Sequence, residues 1–189
     1  VVFAVVAAIT PGPSNVMLTA TGANVGVLRG LPCLLRVRAG MGLMMSLLAF
    51  GLGSLVLGFP LVAGALKWCG AGFLLWLSWR IATAGQSDSP YGGRPVGFIG
   101  AALFQWMNPK SWLVSTSAAS TYFQADAGTA FTQSVSIGAL FLAAAIPSGL
   151  VWLTAGVGVR RILGSPRRLR IFNIVMAATL ASSVIWFVW

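Results

Sequence analysis

The chain has 189 residues, of which 58% are hydrophobic and 7% charged, with 12 lysines and arginines, 2 acidic residues and no histidine. A soluble domain of this size cannot cover so much apolar surface with so little charge, so lipid must be the solvent for most side chains. The lack of histidine and glutamate excludes HExxH zinc sites, Ser-His-Asp triads, paired-carboxylate hydrolysis and metal transport through such ligands.

Six apolar segments follow one another along the chain, at roughly 1–28, 39–63, 66–84, 96–119, 130–157 and 171–189. Each has the roughly 20 residues, or slightly more, that a tilted helix needs to cross a bilayer. They predict an all-α integral membrane protein with one transmembrane domain over residues 1–189. The first segment is no signal peptide, because it lacks a basic n-region and is too long for an h-region.

The first segment contains a polar break, Thr10-Pro11-Gly12-Pro13-Ser14-Asn15. Its prolines lack N–H groups, so in a helix the carbonyls of Ala7 and Ile9 would lose their donors. The helix restarting after the break would aim N–H groups near Ser14 and Asn15 into the bundle, where they favour an anion such as a carboxylate. Prolines often only kink a membrane helix. Two prolines, a glycine and three polar side chains within six residues favour a functional break.

Basic residues alternate between the gaps that separate these segments. The odd gaps carry all ten arginines, whereas the even gaps carry one lysine at most. Because basic loops stay on the cytoplasmic side, both termini are predicted to lie outside. The fifth gap could also bind anionic lipid headgroups. The charged residues by gap are Arg29, Arg36 and Arg38; Lys67; Arg80, Asp88 and Arg94; Asp126; and Arg160, Arg161, Arg167, Arg168 and Arg170.

The fourth segment carries Gln105-Trp106-Met107-Asn108-Pro109-Lys110-Ser111-Trp112 near its centre. An ammonium there costs roughly 2.5–3.5 kcal/mol on insertion scales. Snorkelling from the centre of a segment is difficult, and no segment contains an acid to pair with Lys110. Its partner must be a freed carbonyl, Asn15 or Asn108, water or a substrate carboxylate, unless the amine is uncharged. Pro109 would remove the helical donor of the Gln105 carbonyl.

An inverted repeat follows as a hypothesis. Six helices divide into two halves of three, approximately 1–90 and 91–189, which enter the membrane from opposite sides. The first and fourth segments then correspond, and both are interrupted by proline. Matching interruptions predict a transporter site at the midplane. The candidate substrate-binding residues are Thr10, Pro11, Gly12, Pro13, Ser14, Asn15, Asn108, Pro109 and Lys110.

Other function classes fit less well. A membrane channel, or a scaffold whose polar core only holds helices together, is the main alternative to a transporter. An intramembrane enzyme would need a Ser-Lys dyad built from Ser111, Ser115 or Ser117, and no catalytic pair is visible. The row Gly22, Gly26 and Gly30 favours helix contact within the bundle, with a homodimer face as the alternative. A net charge of +10 can indicate a nucleic-acid partner, but the arginines here lie in gaps between apolar runs and not on one face of a soluble element. No nucleic-acid partner is therefore predicted. No metal or other cofactor is predicted.

Several stretches together resemble the LysE/RhtB family of bacterial amino-acid exporters. The similarity covers essentially the whole chain and is nearest to the branch exporting cysteine and related small neutral amino acids. It rests on Thr10-Pro11-Gly12-Pro13 and the continuation from Leu18 to Gly26, on Phe104 to Lys110, on Leu66 to Leu74, and on Pro166 to Asn173.

The resemblance implies proton-coupled efflux from cytoplasm to periplasm by an antiporter of the bacterial inner membrane. Alternating access would then operate at a site where Lys110 and the restarted first helix meet the substrate carboxylate, while freed carbonyls take its ammonium. The chain departs from the branch at Cys33, where histidine is usual, and at Arg36 and Arg38, where small or apolar residues are usual. Both arginines would fall in the first turns of the second helix, shifting its membrane entry or weakening activity.

Overall fold

The computed structural model describes residues 2–53, 56, 58–83, 103–123 and 128–188, and every regular element in these ranges is helical. Residues 103–106 form a helical turn, and α3 continues into a wider π-type turn at Leu48–Leu52. Asp88, Arg94, Asp126 and residues 96–102 of the fourth predicted segment lie outside the described residues. The helices are α1 (Val2–Ile9), α2 (Pro13–Val25), α3 (Val27–Leu47), α4 (Pro60–Ala82), α5 (Pro109–Tyr122), α6 (Ala130–Leu163) and α7 (Pro166–Val188).

Within the described residues, four helices are long and apolar enough to cross a membrane: Val27–Leu52, Pro60–Ala82, Ala130–Leu163 and Pro166–Ile185. A fifth span results if α1 and α2, which bend by 58° at their junction, cross as one broken helix. Large apolar side chains cover the exterior, with Leu61 90% and Leu28 82% exposed, as expected of a surface that faces lipid. The all-helical membrane class is confirmed, whereas the count of six and the inverted repeat stay predictions.

The predicted loop between residues 28 and 39 is wrong. Gly26, at φ 84°, makes the turn, and α3 begins directly afterwards at Val27. Arg29, Arg36 and Arg38 therefore lie within α3, where arginine is a good helix former. A charge run marks a loop only when the charges must reach water, and Arg38 is instead buried inside the bundle.

The fifth predicted gap is shorter than expected. α6 continues to Leu163 and α7 begins at Pro166. Only Gly164 and Ser165 separate the two helices, and Gly164 ends α6 in the left-handed conformation with φ 60°. The five arginines of this gap thus lie in the last turns of α6 and the first turns of α7. They still form one basic end of the bundle.

Helix α6 is the centre of the bundle and packs against α1, α2 and α3, while α4 packs mainly against α7. Glycines allow α2 and α6 to approach closely. A Cβ on Gly22 would overlap the Leu153 carbonyl, and a Cβ on Gly156 would overlap the Thr19 carbonyl. Gly30 meets the Leu153 side chain. Two members of the predicted glycine row therefore serve contacts within the chain.

Candidate functional site

The break between α1 and α2 exposes backbone carbonyls that side chains satisfy. The Ala8 carbonyl accepts hydrogen bonds from Asn15 Nδ2 at 2.9 Å and from Ser148 Oγ at 2.8 Å. The Thr10 carbonyl accepts from Asn15 Nδ2 at 2.8 Å. The Ile9 carbonyl, one of the two expected to lose its helical donor, accepts from Trp152 Nε1 at 3.1 Å. Asn15, in the first turn of α2, thus ties that helix to the carbonyls at the end of α1.

The second break, at Met107 and Asn108, is held by a helix cap. Asn108 precedes α5, its side chain accepts from the Lys110 backbone N–H at 3.1 Å, and Pro109 takes the first helical position. The Asn108 Nδ2 group donates across to Ser14 Oγ at 3.1 Å. The Gln105 carbonyl was expected to lose its donor. It instead accepts a hydrogen bond from the Asn108 N–H at 3.2 Å.

The Lys110 ammonium joins the two breaks. It donates to the carbonyl of Thr10 and, at 3.4 Å, to the carbonyl of Pro11. Gly12 makes room for it, because a Cβ at this position would lie 2.7 Å from Lys110 Cδ. Freed carbonyls are among the partners predicted for this lysine. The ammonium is tied to the α1–α2 break rather than extended along its own helix toward a membrane surface.

The candidate residues fall into two groups. Seven of them form the contacts just described: Thr10, Pro11, Gly12, Ser14, Asn15, Asn108 and Lys110. Pro13 and Pro109 begin α2 and α5 and serve as helix starts. The N–H groups of Asn15 and Val16 both donate to the Gly12 carbonyl, at 2.9 and 3.0 Å. The backbone N–H of Asn15, which was expected to face an anion, is therefore already hydrogen-bonded at the start of α2.

Two buried polar residues at this site were missing from the prediction. Gln105 is fully buried, donates from Nε2 to the Val37 carbonyl at 2.8 Å and accepts from Ser111 Oγ at 2.7 Å. Its place at the start of the stretch from Gln105 to Trp112 was the available signal. Arg38 is only 4% exposed and donates from Nη2 to Asn15 Oδ1 at 2.6 Å. Assigning it to a loop hid it, and no sequence pattern pairs it with Asn15.

The site surrounds a cavity of about 30 Å³, which is room for one or two water molecules. A second cavity of about 390 Å³ lies further along the same helices, toward the start of α6. Phe141 lines both cavities. It packs with Met41, Met45 and Ala118 in an apolar cluster. This cluster forms an apolar plug between the polar site and the larger cavity.

The charge at the site is wholly positive among the described residues. Lys110 and Arg38 both line the small cavity, and the chain's acids, Asp88 and Asp126, lie outside the described ranges. Nor do the described residues contain a group of three or more histidine, cysteine or acidic side chains that could hold a metal ion. The chemical complement of this site is an anion.

Comparison with known proteins identifies relatives of the chain. Residues 5–188 match the family described as LysE type translocator. The cysteine/O-acetylserine efflux protein of Salmonella typhi is 34% identical over 124 residues, which are 64% of this chain and 62% of that protein. The same-named protein of Escherichia coli strain K12 is 31% identical over the same shares. The match thus spans about three fifths of these relatives. No solved structure matches.

Proposed function

The chain belongs to the LysE type translocator family, and on this premise we propose that it exports small amino acids or their derivatives across the bacterial inner membrane. It is a transporter and not an enzyme. The relatives are named for efflux of cysteine and O-acetylserine. Those two compounds are both small and zwitterionic, so they define the first substrates to assay.

The observation that carries the proposal is the bond between the Lys110 ammonium and the carbonyls of Thr10 and Pro11. An amino acid brings a carboxylate and an ammonium, which are the complements of these two groups. Its carboxylate would take Lys110, and its ammonium would take the released carbonyls. Lys110 and these carbonyls are paired with one another in this structure, so substrate binding would exchange those pairs without leaving either group unmatched.

The route to the outside follows the larger cavity. Phe3 near the start of α1, Tyr122 at the end of α5 and Thr132 near the start of α6 line that cavity at one end of the bundle. The arginines at the junction of α6 and α7 lie at the opposite end of α6. With basic ends cytoplasmic, the cavity opens toward the periplasm and both termini lie outside. Moving Phe141 would connect the site to it.

Alternating access completes the mechanism. The closely packed crossing of α2 and α6 at Gly22 and Gly156 separates the site from the arginine-rich end. The Phe141 plug separates it from the other end. Opening one closure while the other holds would expose the site to one side at a time. Export against a gradient needs a coupling ion, and proton antiport is the form that the family resemblance favours.

The test is counterflow of labelled cysteine or O-acetylserine in proteoliposomes. Replacing Lys110 with Met should lower exchange about 100-fold, equivalent to roughly 2.7 kcal/mol of lost substrate and transition-state binding. Lys67→Met is the matched control, because Lys67 lies in α4, outside the site, and should exchange normally. Thermal unfolding in detergent checks that both variants fold.

The alternatives give different results in the same assay. A channel would pass substrate without accelerated exchange, and a scaffold would show no flux. Normal exchange by a folded Lys110→Met variant would show that the lysine is structural. The coupling is tested separately, in a format where a proton gradient drives uptake into the proteoliposomes. Loss of that uptake when the gradient is dissipated would support proton coupling.

A further inference from the structure

Arg38, which is buried, gives this site a second cation beside the lysine of the proposed transport site. Its guanidinium reaches Asn15, whose own amide bonds the Thr10 carbonyl that also accepts from Lys110. Both cations line the same small cavity. Two positive groups linked through one asparagine and one carbonyl repel each other, and a single carboxylate neutralises only one of them.

The guanidinium is not fully satisfied by the protein. Its Nη2 group donates to Asn15 Oδ1 at 2.6 Å, whereas its buried Nε has no hydrogen-bond partner in the part of the chain that the structure describes. The helix opposite makes room for it, because a Cβ on Gly149 would lie 2.9 Å from Arg38 Nε. A buried charge without an ionic partner is strongly unfavourable. Bonding Asn15 alone would need only a neutral donor, so the positive charge itself requires another explanation.

We propose that Arg38 is a second anion-binding residue of the transport site, and that the substrate is a small amino acid with a second anionic group on its side chain. The inference rests on the proposed function, and it departs from the neutral substrates for which the relatives are named by favouring an acidic amino acid. One carboxylate would bind Lys110 and the other would bind the guanidinium, which presents several donors to a carboxylate in a planar arrangement. A zwitterion with a neutral side chain would leave Arg38 without a counter-charge.

The experiment compares counterflow of L-aspartate and L-serine by the wild-type chain in proteoliposomes. The two amino acids are similar in size and differ by the side-chain carboxylate. We expect the wild type to prefer L-aspartate by about tenfold or more, the ratio that roughly 1.4 kcal/mol of differential binding produces. Arg38→Met should lower this preference, measured as the ratio of the two exchange rates, at least tenfold, and Arg38→Lys should restore part of it.

Arg36→Met is the matched control. It removes an arginine from the same helix, two residues earlier, at a position that does not line the small cavity. It should leave the preference unchanged. Should Arg38→Met fail to fold, competition in the wild type decides the matter: unlabelled L-aspartate should block L-serine exchange at lower concentrations than L-serine itself.

The outcomes separate the two proposals. Exchange of L-serine without preference for L-aspartate would overturn the substrate class and leave the export function standing. Exchange of no amino acid would overturn both. A third outcome concerns inorganic anions. If L-serine exchange by the wild type required chloride, and Arg38→Met no longer showed that requirement, Arg38 would be assigned to an inorganic anion. That result would also overturn the substrate class.

Discussion

The two helix breaks look alike in sequence but contribute opposite chemistry. The break between α1 and α2 supplies acceptors, the carbonyls of Ala8, Ile9, Thr10 and Pro11, each bonded by a side chain. The break before α5 keeps its backbone paired through the Asn108 cap and supplies donors, Asn108 Nδ2 and the Lys110 ammonium.

This difference shows why neither break is a site alone. An open run of carbonyls in a membrane needs donors from elsewhere, and a lysine in a membrane helix needs acceptors. Each break supplies what the other lacks, so the bundle can assemble around them without an acid. The first break depends on distant side chains and the second on its own cap, which predicts unequal sensitivity to mutation.

The largest effect on stability should come from Asn15→Ala. The change removes donors from the Ala8 and Thr10 carbonyls and the acceptor of the Arg38 guanidinium. The two carbonyls keep Ser148 and Lys110 as donors, so each lost hydrogen bond should cost about 1 kcal/mol, and the guanidinium left unsatisfied should cost about 1–3 kcal/mol. The free energy of unfolding should therefore fall by about 3–5 kcal/mol. Denaturant unfolding in micelles measures this.

Thr21→Val is the control for that prediction. Thr21 is also buried in α2, and its hydroxyl donates to the Met17 carbonyl one turn earlier in the same helix. Its loss should change stability by about 1 kcal/mol at most. Equal losses in the two variants would mean that the first break does not depend on Asn15.

A smaller effect is expected at the second break. Asn108→Ala removes the cap of α5, worth about 1 kcal/mol, and the bond to Ser14 Oγ, worth about another. Asn108→Ser keeps a good capping oxygen but is too short to reach Ser14, so it should recover about half of the loss. Unfolding measured alongside Asn15→Ala makes the comparison direct. A loss at Asn108 as large as that at Asn15 would contradict the unequal roles of the two breaks.

The meeting of the breaks could be predicted from sequence, whereas the second cation could not. Prolines, a mid-segment lysine and the absence of membrane acids leave few ways to satisfy the backbone, and contact between Lys110 and freed carbonyls is among them. Arg38 was hidden because charge was used to mark loops, a rule that fails when a guanidinium finds a buried acceptor. The Phe141 plug depends on how α1, α3, α5 and α6 pack, which periodicity does not report.

The smallest effect on stability, and the clearest test of how the breaks communicate, is Gly12→Ala. Gly12 has an extended backbone with φ 178°, which alanine also adopts. The added methyl would lie 2.7 Å from Lys110 Cδ, so the flexible lysine chain must shift while the fold persists. Unfolding should change by less than about 1 kcal/mol, whereas amino-acid exchange should fall about three- to tenfold because the ammonium no longer meets both carbonyls. Gly72→Ala in α4, where a methyl meets nothing within 4 Å, should change neither. If Gly12→Ala exchanges like Gly72→Ala, contact between the breaks serves folding rather than transport.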